Sequence, residues 1–194
     1  MAGHPDQSGG KLLIISGPSG VGKSTLTNAL LDRLGDRARL SISYTTRPRR
    51  PGDRDGEHYT FVDRAEFENG LANGAFLEHA EVYGNLYGTP REPVERWIAE
   101  GLVVVLEIDQ AGAAKVKGQL PAATGVFILP PSEAALLERL RSRGQDDEDV
   151  IQRRYGRAKD EIASAKTSGV YDHFVVNDDF DRALDELVAV AEGG

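Results

Sequence analysis

Eight residues near the start of the chain constrain its architecture more than any others: Gly17-Pro18-Ser19-Gly20-Val21-Gly22-Lys23-Ser24. They follow an apolar run at 12–15 and precede Leu26, Leu30 and Leu34, which recur every four residues. A short unbroken apolar run reads as a strand buried on both faces, and four-residue spacing reads as one face of a helix. Glycines at these spacings let the backbone curl until successive N–H groups point inward. The helix that starts here adds the positive end of its dipole. The segment fits G-x-x-x-x-G-K-[ST] at each fixed position, a loop that cradles phosphates between a strand and a helix. It predicts a bound nucleoside triphosphate, with Lys23 on the β- and γ-phosphates and Ser24 on Mg²⁺. The loop does not identify the acceptor.

The rest of the chain alternates short apolar runs with helix-period segments. Leu40, Ile42 and Tyr44 predict a second strand and residues 59–62 a third. Asp63 and Glu66 form a capping box ahead of Phe67 and Leu71. Thr89-Pro90-Arg91-Glu92 predicts another helix start, with Pro at its first position, Val94, Trp97 and Ile98 on one face, and Gly101 at its end. The clearest strand, at 102–108, runs out in the acids Glu107 and Asp109. Further strands are expected at 125–129 and 173–176. Further helices are expected after Ser132 (Leu136, Leu137, Leu140), through Tyr155, Ala158 and Ile162, and at Leu184, Leu187 and Val188. This rhythm implies an α/β fold with a mostly parallel five-stranded sheet covered by helices on both faces. Residues 36–100, with half-polar strands and a charged loop, break the rhythm and read as an inserted lobe.

Composition narrows the alternatives. With 194 residues, 40% of them hydrophobic, the chain can bury one sizeable core. Its net charge of -8 disfavours general nucleic-acid binding, which needs many phosphate-facing cations. With no cysteine, neither a disulfide framework nor a thiolate metal site can form. The first ten residues lack the apolar core of a signal peptide, and the longest apolar run, 102–106, is too short to span a bilayer. A cytoplasmic protein without membrane attachment is expected.

Against that acidic background Arg47, Arg49, Arg50 and Arg54 fall within eight residues, on a Pro/Gly-rich loop at 48–56. Guanidinium groups grip phosphate oxygens in pairs, although a solvated charged loop has the same composition. Tyr59, Tyr83 and Tyr87 offer hydroxyls to a phosphate or flat faces to a base, and equally suit strand packing.

Eight segments in order resemble guanylate kinase: 17–25 (GPSGVGKST), 43–47 (SYTTR), 56–62 (GEHYTFV), Phe76-Leu77-Glu78, Tyr87-Gly88-Thr89, 106–109 (LEID), 139–144 (RLRSRG) and Val176-Asn177-Asp178. The resemblance covers the chain from Lys11 onward. It implies a P-loop NTPase fold: a flexible tail at 1–10, then one domain made of a core (11–35, 101–138, 167–194), a mixed α/β GMP-binding lobe (36–100) and a helical lid (139–166). It implies Mg²⁺-dependent phosphoryl transfer from ATP to GMP, with ATP held by Gly17 through Thr25 and by Asn177. The GMP phosphate would be held by Ser43, Arg47, Arg50, Tyr59 and Tyr87, and guanine read by Glu78 with Thr89 and Asp109. Thr89 also suits a helix N-cap. Lys23, Arg139, Arg143 and Arg154 match the family's catalytic cations, and Glu107 lies toward the metal, acting through water. The partners implied are the small molecules ATP and GMP, the protein being monomer or homodimer.

The chemistry of Glu78 can be argued apart from the family. Guanine presents two adjacent donors, N1–H and N2–H₂, and one carboxylate accepts from both. Adenine would leave that carboxylate unpaired. A sugar-phosphate acceptor has no such edge to read. An interaction module that has lost catalysis would not need the intact Lys23 and Ser24. In one place the chain departs from the family: Gln110 and Ala111 stand where the family reads x-Q, so Gln has moved by one position.

Overall fold

The computed structural model describes residues 9–142 and 147–193. The first apolar run is β1 (Lys11–Ser16), and the glycine loop leads into α1 (Lys23–Leu34). Gly20 and Gly22 hold φ at 88° and 96°, a region that a Cβ makes costly. A 3-10 turn then leads to β2 (Ala38–Leu40). Next come β3 (Tyr44–Thr45), β4 (Thr60–Phe61), α2 (Arg64–Ala72), β5 (Phe76–Val82), β6 (Asn85–Pro90) and α3 (Arg91–Ala99). The second half runs β7 (Val103–Glu107), α4 (Gln110–Gln119), β8 (Thr124–Leu129), α5 (Glu133–Ser142), α6 (Glu148–Thr167), β9 (His173–Val176) and α7 (Phe180–Glu192).

Five strands form one wholly parallel sheet in the order β2-β7-β1-β8-β9. Alternation along β1 builds a core on each face. Leu13 and Ile15 pack with Leu26 and Leu30 of α1 and Leu187 of α7. Leu12 and Ile14 pack with Val94 of α3 and Val116 of α4. Burying each such side chain fully is worth about 1.5–3 kcal/mol. The β1 and β7 ends that carry the glycine loop and Glu107 are held in register, with Ile15 opposite Glu107.

A second sheet, β4-β3-β6-β5, forms the lobe. Asp63 caps α2 as expected, accepting from Glu66 N at 2.8 Å. Phe67 stacks on Phe76 with centroids 4.5 Å apart, and Gly88 opens the room: a Cβ there would lie 2.9 Å from Phe67. The edge carbonyls of β5 are bound by α4, with Gln119 Nε2 donating to Leu77 O and Lys115 Nζ to His79 O, each at 2.6 Å.

Several expectations change. The strand expected through Leu40, Ile42 and Tyr44 is two strands in two sheets, because β2 pairs with β7 and β3 with β6. The chain therefore leaves the core at Ser41, later than the boundary expected at 36. It rejoins the core at α3, whose Val94 is buried with Val104 and Val116, earlier than the boundary expected at 100. Gly10, expected in the tail, donates its N–H to Ile98 O at 3.2 Å. The helix start expected at Thr89 falls later: Thr89 and Pro90 belong to β6, and α3 has no side-chain cap. The boundary expected at 139 cuts a continuous helix, for α5 and α6 share their own small core of Leu136, Leu140, Ile151 and Ala158. Among the described residues, no helix is long and apolar enough to cross a membrane.

Candidate active site

The phosphate loop sits at the carboxyl ends of β1 and β7, where open α/β sheets bind ligands. Ser24 Oγ donates to Glu107 Oε1 at 2.7 Å, so the two groups expected at a metal lie side by side. Two hard oxygen donors fit Mg²⁺, which takes only one or two protein groups when phosphate and water complete its shell. Lys23 Nζ donates to Gly17 O at 2.7 Å.

A loop that turns its N–H groups inward turns a carbonyl outward, and that carbonyl needs a donor. The Val21 carbonyl accepts from Asn177 Nδ2 at 2.8 Å and from Arg139 Nη1 at 3.3 Å. Arg139 Nη2 in turn donates to Asn177 O at 2.8 Å. A Cβ on Gly22 would lie 2.6 Å from Asn177 Nδ2. Asn177, expected near the adenine, and Arg139, expected among the lid cations, thus both hold the Val21 carbonyl of the loop. Arg154 lies on α6. Arg143 falls outside the described residues. Glu161, which no sequence signal marked, lines one cavity with Gly17, Lys23, Glu107 and Asp109. Burial pushes its pKa up, opposed by Lys23.

The arginine cluster divides. Arg49 pairs with Asp55 at 2.7 Å and Arg54 with Glu57 at 2.8 Å, both as exposed loop pairs. Arg47 and Arg50 instead line a cavity of about 550 Å³ with Ser43, Tyr59 and Tyr87. The Arg47 side chain is only 9% exposed and is fixed by Asp53 at 2.9 Å, with the Tyr59 and Phe61 rings 5.4 and 5.6 Å away. Asp53 also accepts from Arg50 N at 2.7 Å. The Arg47 hydrogen bond is the main reason the Asp53 carboxyl lies below its ordinary range. No sequence signal marked Asp53 apart from the loop's other acids.

The base-reading side is built on a bulge. The β5–β6 register shifts between Phe76 and Glu78, so Leu77 and Glu78 are both buried where alternation would expose one. Leu77 enters the core, and Glu78 lines a cavity with Ser43, Tyr59, Tyr87 and Asp109. Thr89 Oγ1 donates to Glu78 Oε1 at 2.7 Å, so its hydroxyl serves the carboxylate and not a helix cap. Burial is the main cause raising the Glu78 pKa; Thr89 opposes it and Asp109 adds to it. Asp109 caps α4, accepting from Gly112 N at 2.8 Å. Gly112 makes room for Glu78: a Cβ there would lie 3.1 Å from Oε2. The displaced Gln110 reaches α6, donating to Ser164 Oγ at 2.9 Å.

One cleft thus joins a phosphate loop, a cationic seat and a buried carboxylate suited to two neighbouring donors. The guanylate kinase family model matches residues 9–192. The guanylate kinase of Thiobacillus denitrificans is 50% identical over 186 residues, covering 96% of this chain and 87% of that protein. The guanylate kinase of Escherichia coli K12 is 49% identical over 183 residues, covering 93% and 86%. The crystal structure of guanylate kinase from Anaplasma phagocytophilum superposes with a TM-score of 0.73 at 34% identity, covering 94% of this chain and 85% of that one. With the family model spanning nearly the whole chain and half its residues shared with such relatives, the chain belongs to the guanylate kinase family.

Proposed function

We propose that the chain transfers the γ-phosphoryl group of ATP to GMP, giving ADP and GDP. The observation that carries this reading is that Glu107 lines three adjoining cavities: one with Lys23, one with Arg47 and Arg50, and one with Glu78. A phosphate donor, an acceptor phosphate and an acceptor base therefore meet around one carboxylate. Ser24 and Glu107 would hold Mg²⁺, which when bound neutralises charge on the β- and γ-phosphates. Gly17 to Thr25, through the N–H groups of every residue but Pro18, and the Lys23 ammonium hold the triphosphate, with Asn177 and Arg139 keeping the loop in shape. Ser43, Arg47, Arg50, Tyr59 and Tyr87 hold the acceptor phosphate. Glu78, oriented by Thr89 beside Asp109, reads guanine. Arg154, with Arg143, supplies lid cations to the transferring group. A phosphate oxygen is already nucleophilic, so catalysis is positioning and electrostatics and needs no protein base. The reading places the enzyme in the cytoplasm, where a chain without cysteine forgoes no disulfide, as a monomer or homodimer.

The direct test is ADP release in a coupled assay with GMP, dGMP, AMP, UMP and CMP. GMP should be turned over far faster than AMP, and a GMP rate no greater than background would end this reading. Arg47→Ala and Arg50→Ala should each raise the KM for GMP while leaving that for ATP nearly unchanged. Each removes a charge-assisted bond of about 1.5–3 kcal/mol. Arg47→Ala should cost more, because it also leaves the Asp53 carboxylate facing the acceptor phosphate without its partner. Equal losses for ATP and GMP would move these arginines to the other nucleotide.

A further inference from the structure

The hairpin that holds Glu78 near its base holds Tyr83 at its tip. β5 and β6 pair out to Val82 opposite Asn85, leaving Tyr83 and Gly84 as a two-residue turn. Their φ values are 50° and 77°, both positive, as a type I′ turn requires. The first position of such a turn favours Asn, Asp or Gly, because a bulky side chain is strained there. Among the described residues Tyr83 is the single non-glycine with positive φ. Packing does not explain it, since Tyr83 is 85% exposed.

The turn is anchored on its own lobe by Arg64 Nη2, which donates to Gly84 O at 3.0 Å. Its side chain faces the lid: Arg157 Nη1 of α6 donates to the Tyr83 hydroxyl across 3.4 Å. That guanidinium is the main cause lowering the Tyr83 pKa, and Arg153 and Arg154 add to it. On α6, Arg154, Arg157, Glu161 and Ser164 are spaced three, four and three apart, which puts them on one face. Ser164 is tied to α4 by Gln110, and Glu161 lines the cavity of Lys23. Arg157 is the point where this face meets the acceptor lobe.

We propose that Tyr83 is a positioning residue that couples the acceptor lobe to the lid helix through Arg157, and so sets where Arg154 stands during transfer. A lobe closing on its acceptor carries the hairpin tip with it. The tip then moves α6 at a point one turn from Arg154, so the lid cation arrives with the acceptor in place and not with water alone. The strain at Tyr83 persists because the position serves this contact. The inference rests on the lid role proposed for Arg154.

The test compares kcat and the KM for ATP of Tyr83→Asn, Tyr83→Phe, Arg157→Met and the Tyr83→Phe/Arg157→Met double variant, with GMP saturating and ATP varied. Asn suits the turn, so Tyr83→Asn should keep or raise Tm. It should nevertheless lower kcat about two- to fivefold, the upper range for one exposed charged contact made in the closed state, with the KM for ATP unchanged. Tyr83→Phe should show the same loss, and the double variant should be no slower than Arg157→Met alone. An unchanged kcat in Tyr83→Asn, a loss of kcat that tracks a fall in Tm, or losses that multiply in the double variant would each overturn the proposal. Arg154→Ala run alongside reads the lid assignment separately: if its kcat is unchanged, that assignment falls while the Tyr83–Arg157 cycle still reports the coupling.

Discussion

Lys23→Ala is expected to lose about 10³-fold or more in kcat while keeping its fold. The size follows from the kind of catalysis the cleft can perform. Charge on the transferring group has few protein cations to meet it, and Lys23 is the one rooted in the phosphate loop itself. Retention of the fold follows from what shapes the loop. Its curl rests on glycines at positive φ and on the Val21 carbonyl held by Asn177 and Arg139. The Lys23 ammonium donates to Gly17 O and, at longer range, to Pro18 O, contacts worth about 1 kcal/mol each in stability. Calorimetry should therefore show a small shift in Tm beside a near-total loss in the coupled assay. Turnover close to wild type would remove Lys23 from the chemistry. A collapse of Tm would make the loss structural.

The part of the site that was legible in the sequence is the part written in consecutive residues. The phosphate loop carries its geometry in its own glycines, so its strand, curl and helix could be read together. The arginine cluster was legible as a cluster only. Whether an arginine faces the cavity or an exposed loop acid depends on Asp53, Asp55 and Glu57, and nothing in the run 47–57 orders those pairings. Period-two alternation cannot reveal a change of partner, so Leu40, Ile42 and Tyr44 read as one strand although Ser41 leads out of one sheet toward another. α4 gave no signal, because its buried face is Gly112, Ala113 and Val116, small residues that carry little hydrophobic periodicity. That smallness is functional: it brings the helix close enough for Gly112 to lie against Glu78. The resemblance put Thr89 and Asp109 with Glu78, but Gly112, 34 residues away along the chain, is brought to it only by the fold.

Glu78→Gln should collapse the preference for GMP over AMP, and the structure says which end of the amide is responsible. Thr89 Oγ1 donates to Oε1 of Glu78, so the glutamine carbonyl oxygen should take that place. The amide NH₂ then occupies the position of Oε2, beside Gly112. Facing guanine, it sets a donor against the N1–H and N2–H₂ donors, where the carboxylate accepted. A charge-assisted bond gives way to a donor–donor repulsion, each effect worth about 1–3 kcal/mol, so kcat/KM for GMP should fall by several kcal/mol at most. Adenine presents N1 as an acceptor beside N6–H₂, an edge an amide can match, so AMP should improve relative to GMP. ATP kinetics should barely change, since Glu78 lies on the lobe hairpin and not on the phosphate loop. A pH profile supplies an independent reading. Burial, with Asp109 adding, raises the Glu78 pKa above that of an ordinary glutamate. As pH falls through that raised value the carboxyl takes up a proton and loses an acceptor. Wild-type kcat/KM for GMP should therefore decline on the acid side sooner than an exposed glutamate would allow, and the Gln variant should lack that limb. The decisive measurement is the GMP:AMP ratio of kcat/KM in both proteins. If the ratio is unchanged, Glu78 does not read the base, and recognition must rest with Asp109 and Thr89.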